Sequence, residues 1–253
     1  MAKIAHKAHE DLLTAGIHPD INERKDITRC ILEGIKDYSK LDELAKELLG
    51  KPIEEGEVKI ALKDSANRSV AGINGIPYKY WKCLHQFKKE NNKSSKYKSL
   101  NIIKSPTIIY NDIEEFRVDP LSEFATGWMC SLYKKGNKRL IENYRPITLL
   151  YSDYKIDTKA QSIRLAKVAP KIIHPNQAGF MPGRNITNQV HLAKLMVNFS
   201  EAKEQDGMII ALDQEKVYNK NYLLQILKVY NLPIRFVKMV KLLKWNIVRC
   251  YSE

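Results

Sequence analysis

No stretch of this sequence is apolar over a long enough run to cross a membrane. A membrane-spanning helix needs about 18 or more consecutive apolar residues, and the chain has nothing approaching that length. Residues 1–10 also lack the apolar segment of a secretory signal peptide. The sequence therefore predicts neither membrane insertion nor secretion, and an intracellular location is expected.

Cysteine is scarce and dispersed. The four cysteines stand far apart, at Cys30, Cys83, Cys130 and Cys250. No two have the Cys-x-x-Cys spacing typical of zinc sites, and a chain of this size in a reducing compartment is not expected to rely on disulfides. The sequence also contains no phosphate-binding P-loop motif and no Ser-His-Asp arrangement.

Acidic residues are outnumbered. There are 29 Asp and Glu against 42 Lys and Arg, which gives a formal net charge of +13. A basic chain attracts polyanions because neutralising their phosphates releases bound counterions. Nucleic acid is the partner that this charge favours, and the phosphates of a membrane surface are the weaker alternative.

Apolar residues recur mainly at helical spacing, and only two regions have the pattern of strands. The strand-like regions are a hairpin within 127–151 and the apolar run MIIAL at 208–212. We therefore predict an α+β fold that is mostly helical. The predicted helices lie within residues 1–50 and at 54–67, 78–87, 152–169, 185–203 and the last 33 residues.

Residues 88–100, KKENNKSSKYKSL, have almost no apolar side chains. Lys-, Asn- and Ser-rich composition is typical of linkers. The same composition also suits a basic loop on nucleic acid, and both interpretations stay open.

The predicted hairpin is basic. WMCSLY (128–133) and RPITLLY (145–151) flank a turn that carries Lys134 and Lys135, and Arg145 begins the second strand. Lysine binds a triphosphate as a point charge, and arginine binds it through a bidentate fork. The alternative is an ordinary solvated turn.

The run MIIAL predicts a buried strand that ends on Asp213. An exposed carboxylate at a sheet edge is a ligand for a hard cation such as Mg²⁺, although the same residue can also cap the following helix. Tyr218, five residues further on, can stack against a nucleotide sugar or belong to the core.

The Gly- and Pro-rich segment GFMPGR (179–184) predicts a turn that ends on Arg184. Such a turn can approach a nucleic-acid backbone closely, or it can simply connect two helices.

In this order and spacing, the motifs resemble those of reverse transcriptases from non-LTR (LINE-type) retrotransposons, of a type common in fungal genomes. The resemblance extends over about 61–243. It rests on AGINGIPYKYWK (71–82), SLYKKGNKRLIENYRPITLLYSDYKIDTKAQSIRL (131–165), HPNQAGFMPGRNITNQVHLAKL (174–195) and IIALDQEKVYNK (209–220).

The resemblance implies an RNA-directed DNA polymerase with a right-hand fold, of which this chain carries the fingers and the start of the palm but no thumb. Residues 1–60 are then a helical linker segment, and 61–253 are the truncated reverse transcriptase domain. The implied partners are an RNA template, an RNA–DNA hybrid and dNTP. The implied cofactor is Mg²⁺, which Mn²⁺ can replace, and the implied location is the nucleus.

The resemblance also assigns roles to residues that match the family's motifs. Asp213 matches the first metal-binding, catalytic carboxylate, and Tyr218 matches the residue that contacts the nucleotide sugar. Lys134 and Arg145 match residues that hold the incoming triphosphate. The motif that shapes the nucleotide and template pocket is matched by Gln177, Gly179 and Arg184.

The sequence departs from the family at several positions. Ala71, Asn74 and Lys79 replace the usual Pro, Asp and Glu, and Asn219 replaces an Asp. A few residues of the usual run after Lys220 are missing. The second catalytic motif, an aromatic residue followed by x-Asp-Asp, is absent. We therefore expect a truncated copy that is inactive alone. The alternatives are a non-catalytic nucleic-acid-binding protein and a helical interaction module of a larger polymerase.

Overall fold

A computed structural model of the chain describes residues 7, 21–91, 101–116, 118, 122–212, 220–245 and 248–251. Helices predominate in these ranges, and three short strands form one sheet. The helices are α1 (Ile21–Glu33), α2 (Glu43–Gly50), α3 (Glu55–Lys63), α4 (Tyr78–Asn91), α5 (Lys104–Phe116), α6 (Ser152–Ile172), α7 (Ile186–Ala202), α8 (Lys220–Val229) and α9 (Ile234–Trp245). The strands are β1 (Thr126–Tyr133), β2 (Tyr144–Leu150) and β3 (Val248–Tyr251).

This architecture confirms the predicted α+β class. Within the described ranges, no helix combines the length and apolar character needed to cross a membrane. The right-hand polymerase fold and the division at residue 60 remain predictions.

The predicted hairpin forms two of the three strands of the sheet. β1 lies in the centre, with β2 antiparallel on one side and β3 parallel on the other. The β1–β2 register runs from Gly127 opposite Leu150 to Tyr133 opposite Tyr144. Met129 in β1 is buried, whereas the end of the hairpin is exposed. The predicted hairpin is therefore confirmed, and it projects from the core.

The core forms where helices pack around α6. Val58, Ala61 and Leu62 of α3 are buried, as are Ile156 and Ala160 of α6, and the two helices are in contact. α9 contributes the apolar stripe predicted for the last helix and contacts α2, α5 and α8. Its stripe residues Phe236 and Leu243 are buried and Val240 is partly buried, while the predicted member Ile247 lies outside the described residues.

Helix boundaries differ from the predictions at several ends. α3 ends at Lys63 instead of Asn67, and α4 continues to Asn91 into the segment predicted as a linker. The remainder of that segment, 92–100, lies outside the described residues. α6 continues through Pro170 to Ile172. Proline disrupts the helical turn that precedes it. In α6 this turn is held in place by the buried residues Arg164 and Val168.

The predicted strand at 208–212 is wrong. These residues have no regular secondary structure, and Met208, Ile209, Ile210 and Leu212 are 67–92% exposed. A strand needs a neighbour for its N–H and C=O groups, and none of the described strands pairs with this segment. An apolar run therefore identifies a segment whose burial is favourable, but it does not by itself specify a strand.

A buried polar cluster links α5, α6 and α9. Glu114 accepts hydrogen bonds from Gln161 and from Arg235, whose Nε and Nη2 lie 3.0 and 2.9 Å from Glu114 Oε2. Beside this group, Asp157 is 1% exposed, and its Oδ1 has no hydrogen-bond partner. Burial, and secondarily the Glu114 carboxylate, raises the pKa of Asp157 to about 8. The folded chain therefore holds a proton on Asp157 at neutral pH.

Replacing Asp157 with Asn tests this protonation. Between the ordinary carboxyl pKa of 3.8 and about 8, the folded state holds one proton more than the unfolded state, so the wild type loses stability as pH rises through that window. We expect Asp157→Asn to exceed the wild type in free energy of unfolding by roughly 2–5 kcal/mol at pH 8, with little difference near pH 4. Urea unfolding across this pH range measures the effect.

Asp112→Asn serves as the control, because Asp112 lies exposed on α5. It should leave the pH profile of stability unchanged. A difference in unfolding free energy between Asp157→Asn and the wild type that stays constant from pH 4 to 8 would contradict the assignment.

A candidate nucleic-acid interface on the basic hairpin

Two tyrosines hold the end of the hairpin. Tyr133 and Tyr144 lie opposite each other at the end of the ladder, with ring centroids 5.6 Å apart and planes at 64°. The Tyr133 hydroxyl donates to the Gly136 carbonyl at 2.8 Å, and the Tyr144 hydroxyl donates to the Lys138 carbonyl at 2.9 Å. These bonds fix the backbone that carries the basic side chains.

Asn143 completes the turn. Its Nδ2 donates to the Asn137 carbonyl at 2.9 Å, and its own carbonyl accepts from the Lys134 N–H at 2.9 Å. Gly136 has a φ of 90°, and a Cβ at that position would lie 3.0 Å from the Asn143 side chain. Both the conformation and the close approach require glycine there. The turn is thus specified by its own residues.

Residues 126–150 carry five cations and a single carboxylate, Glu142. The five cations, Lys134, Lys135, Lys138, Arg139 and Arg145, are all exposed. None of them takes part in an ion pair among the described residues. Lys138 Nζ lies 5.4 Å from the centroid of the Tyr133 ring, which attracts a cation without neutralising its charge. The hairpin therefore presents uncompensated positive charge.

Apolar side chains accompany this charge on one face of the sheet. Side chains alternate between the two faces of a strand, so Trp128 and Leu132 of β1 share a face with their cross-strand neighbours. Leu132 pairs with Arg145, and Ile147 pairs with Cys130. Trp128, Leu132 and Ile147 are 41–56% exposed. The run WMCSLY predicts a strand, but it does not predict that one face of this strand is exposed.

Lys134 and Arg145 lie at the same end of the hairpin. Lys134 follows β1 and Arg145 is the second residue of β2, so both lie at the exposed end of one hairpin. Asp213 and Tyr218 lie outside the described residues, so the roles that the resemblance assigns to them remain predictions.

Gln177, Gly179 and Arg184 form a single loop. The Arg184 guanidinium donates to the carbonyls of His174, Gln177 and Ile173 at 2.6, 2.9 and 3.2 Å. Gln177 Nε2 donates to the Gly179 carbonyl at 3.3 Å. The N–H donors of Arg184 thus bind the backbone of its own loop. The sequence did not predict this structural role for Arg184.

The described residues do not provide the ligands of a metal site. They contain no group of three or more His, Cys, Asp or Glu side chains that can hold a metal ion. The predicted magnesium ligand Asp213 is a single carboxylate outside these ranges. A pair of Mg²⁺ ions needs several oxygen ligands, so the described side chains do not fit a two-metal centre.

The chain is similar to a transposon protein over part of its length. Over 113 residues, which make up 44% of this chain, it is 40% identical to the Transposon TX1 uncharacterized 149 kDa protein of Xenopus laevis. The matched segment is 9% of that protein, so the chain spans only a small part of its relative. No protein-family model matches the chain. The similarity supports the transposon origin that the motifs predict.

Arg184→Ala should loosen the loop at 173–184 while leaving the core folded. The loss of three charge-assisted bonds to carbonyls costs about 1–3 kcal/mol of local stability. We expect faster hydrogen exchange at the Gln177 and Arg184 amides, whose turn bonds to the His174 and Met181 carbonyls lie within this loop. Arg68→Ala, at an exposed arginine, should leave that exchange unchanged. Equal exchange in both variants would rule out the structural role of Arg184.

Proposed function

We propose that this chain is a segment of an RNA-directed DNA polymerase of a non-LTR retrotransposon, comprising the fingers and the start of the palm. We further propose that it binds RNA and RNA–DNA hybrid and does not polymerise DNA by itself. The motif order and the similarity to a transposon protein support the origin. The observation that carries the binding proposal is the exposed, unpaired positive charge of the hairpin.

The hairpin suits a nucleic acid in two ways. Lys134 and Lys135 supply point charges for phosphates, and the planar fork of Arg145 can hold two phosphate oxygens at once. Trp128, on the same face as Arg145, offers an aromatic surface on which a base can stack. Stacking and phosphate contacts do not read sequence, so we expect binding that is indifferent to sequence.

The same features admit a non-catalytic nucleic-acid-binding protein as a second candidate. The lack of a metal-holding group among the described side chains favours it for the isolated chain. In the polymerase, Mg²⁺ would neutralise charge on the triphosphate and activate the primer hydroxyl. In this chain, Asp213 is the residue that would hold Mg²⁺. Lys134 and Arg145 would hold the triphosphate.

We expect the chain to bind RNA and RNA–DNA hybrid with an affinity that falls steeply from 50 to 200 mM salt, because binding releases counterions. The double variant Lys134→Ala/Arg145→Ala should weaken binding by about tenfold and lower the salt slope by about two. Fluorescence anisotropy with a labelled 20-nucleotide RNA and with the matching hybrid measures both quantities.

The matched control is Lys203→Ala/Arg68→Ala, which removes the same charge from exposed positions away from the hairpin. It should weaken binding by less than about threefold. The hairpin assignment fails if the two double variants lose affinity equally. The binding proposal as a whole fails if a folded sample does not bind at 50 mM salt, or binds without salt dependence. A folded sample that does not bind would favour the interaction-module alternative.

We expect no DNA synthesis by this chain. Two-metal catalysis needs several carboxylates to hold both cations in line with the reacting phosphate, and Asp213 is the one catalytic aspartate that matches the family. Loss of a single electrostatic contact typically costs ~10²–10³ in rate, so loss of the remaining carboxylates should leave nothing measurable. Incorporation of labelled dNTP on a primed RNA, with Mg²⁺ or Mn²⁺, tests this expectation.

Asp213→Ala is the control in that assay. Incorporation above background that disappears in Asp213→Ala would show that the chain is catalytic. Incorporation that persists in the variant would indicate a contaminating polymerase.

A further inference from the structure

Helix α7 has the composition of an interior helix but lies outside the core. None of its residues is buried. Seven apolar side chains along it are 41–71% exposed, namely Ile186, Val190, Leu192, Leu195, Met196, Val197 and Phe199. A surface helix normally exposes one polar face and buries its apolar one. α7 therefore exposes surface that is costly to leave in water.

The apolar residues of α7 occupy two sides of the helix. Ile186, Val190 and Val197 recur at spacings of four and seven residues and share one side. Leu192, Leu195 and Phe199 recur at spacings of three and four and share another. A helix that is apolar on more than one side is typical of protein interiors.

The segment that follows α7 has the same character. Ser200 Oγ donates to the Gln205 carbonyl at the turn that ends the helix. Residues 208–212 then expose four large apolar side chains. In the described part of the chain, no backbone hydrogen bond joins 208–212 to another segment. An exposed apolar segment with unpaired backbone groups is a template for pairing with another strand.

Charge separates this surface from the hairpin. Residues 184–212 carry three cations and three carboxylates, so their formal charge is zero, whereas the whole chain carries +13. A neutral apolar surface has little attraction for a polyanion. It also imposes little repulsion between two copies of an otherwise basic protein.

We propose that residues 186–212, here called the α7 surface, form an interface between two copies of this chain. The 208–212 segments of the two copies pair as antiparallel strands, and the α7 helices cover the pair. The side of α7 that carries Leu192, Leu195 and Phe199, together with the exposed apolar side chains of 208–212, offers on the order of 1,000 Å² per copy, against about 800 Å² per partner in a standard interface. A two-fold arrangement uses the same patch on both copies and closes at a dimer.

Sedimentation velocity of the full chain from ~1 to ~100 μM, at 0.15 and 0.5 M salt, tests the proposal. We expect a reversible monomer–dimer equilibrium that higher salt does not weaken, because the contact is apolar. Ile210→Pro removes a backbone donor from the paired segment, and Phe199→Glu places a charge on the helix surface. Each variant should raise the dimer dissociation constant at least tenfold.

Phe116→Glu is the matched control. Phe116 is at least as exposed as Phe199 and lies at the end of α5, outside residues 186–212. It should leave the dissociation constant within about threefold. Circular dichroism first establishes that all four proteins are equally helical, which is expected because the substituted side chains are outside the core.

Three results would overturn the proposal. One is a folded wild type that stays monomeric at 100 μM. Another is a dimer that Ile210→Pro and Phe199→Glu leave intact. The third is open-ended aggregation instead of a closed dimer. Each of these results is independent of nucleic-acid binding, so a failure here leaves the proposed function standing.

Discussion

The fold depends on one buried guanidinium. Arg164 of α6 is 3% exposed and donates to the Glu57 carboxylate and to the carbonyls of Lys51 and Pro52. Burial raises the pKa of Glu57, but the bonds from Arg164 and from the Glu54 N–H outweigh it and leave that pKa below its ordinary value. Removing either Arg164 or Glu57 would leave the other charge buried without a partner, which is strongly destabilising. Arg164 therefore fixes α6 against the α2–α3 connection with little freedom.

The position of the hairpin depends on the same helix. β2 runs into α6, and Ser152 at that junction donates to the Ile76 carbonyl at 2.7 Å while accepting from the Trp81 indole N–H at 2.8 Å. A Cβ on Gly72 would lie 2.6 Å from the Tyr151 ring, so only glycine allows the loop before α4 to pack there. These contacts anchor the base of the hairpin to α4 and α6.

Local patterns predicted the elements whose specification is local. The hairpin was predictable because its two apolar runs and its turn lie within one short segment, and α7 was predictable from its helical spacing. Asp157 was not: a carboxylate in the middle of a helix reads as a solvated residue, and its burial depends on α5 and α9, which are distant in sequence. The strand predicted at 208–212 was wrong for a related reason. Strand formation depends on a neighbouring strand, whereas the apolar composition indicates only that burial of the segment is favourable. For Arg184, the sequence shows the positive charge but does not show that its guanidinium donates hydrogen bonds to three backbone carbonyls.

The two exposed surfaces differ in the force that governs each. On the hairpin, the attraction is electrostatic and is screened by salt over about 10 Å at 0.1 M, so contacts there suit a partner that is gained and released. On the α7 surface, the driving force is removal of apolar area from water, which salt does not screen and excluded salts strengthen. Residues 126–150 carry a net charge of +4, whereas residues 184–212 carry none, so a polyanion is attracted to the hairpin and not to the α7 surface. On the two proposals made above, higher salt weakens nucleic-acid binding at the hairpin and leaves the apolar contact between two copies intact.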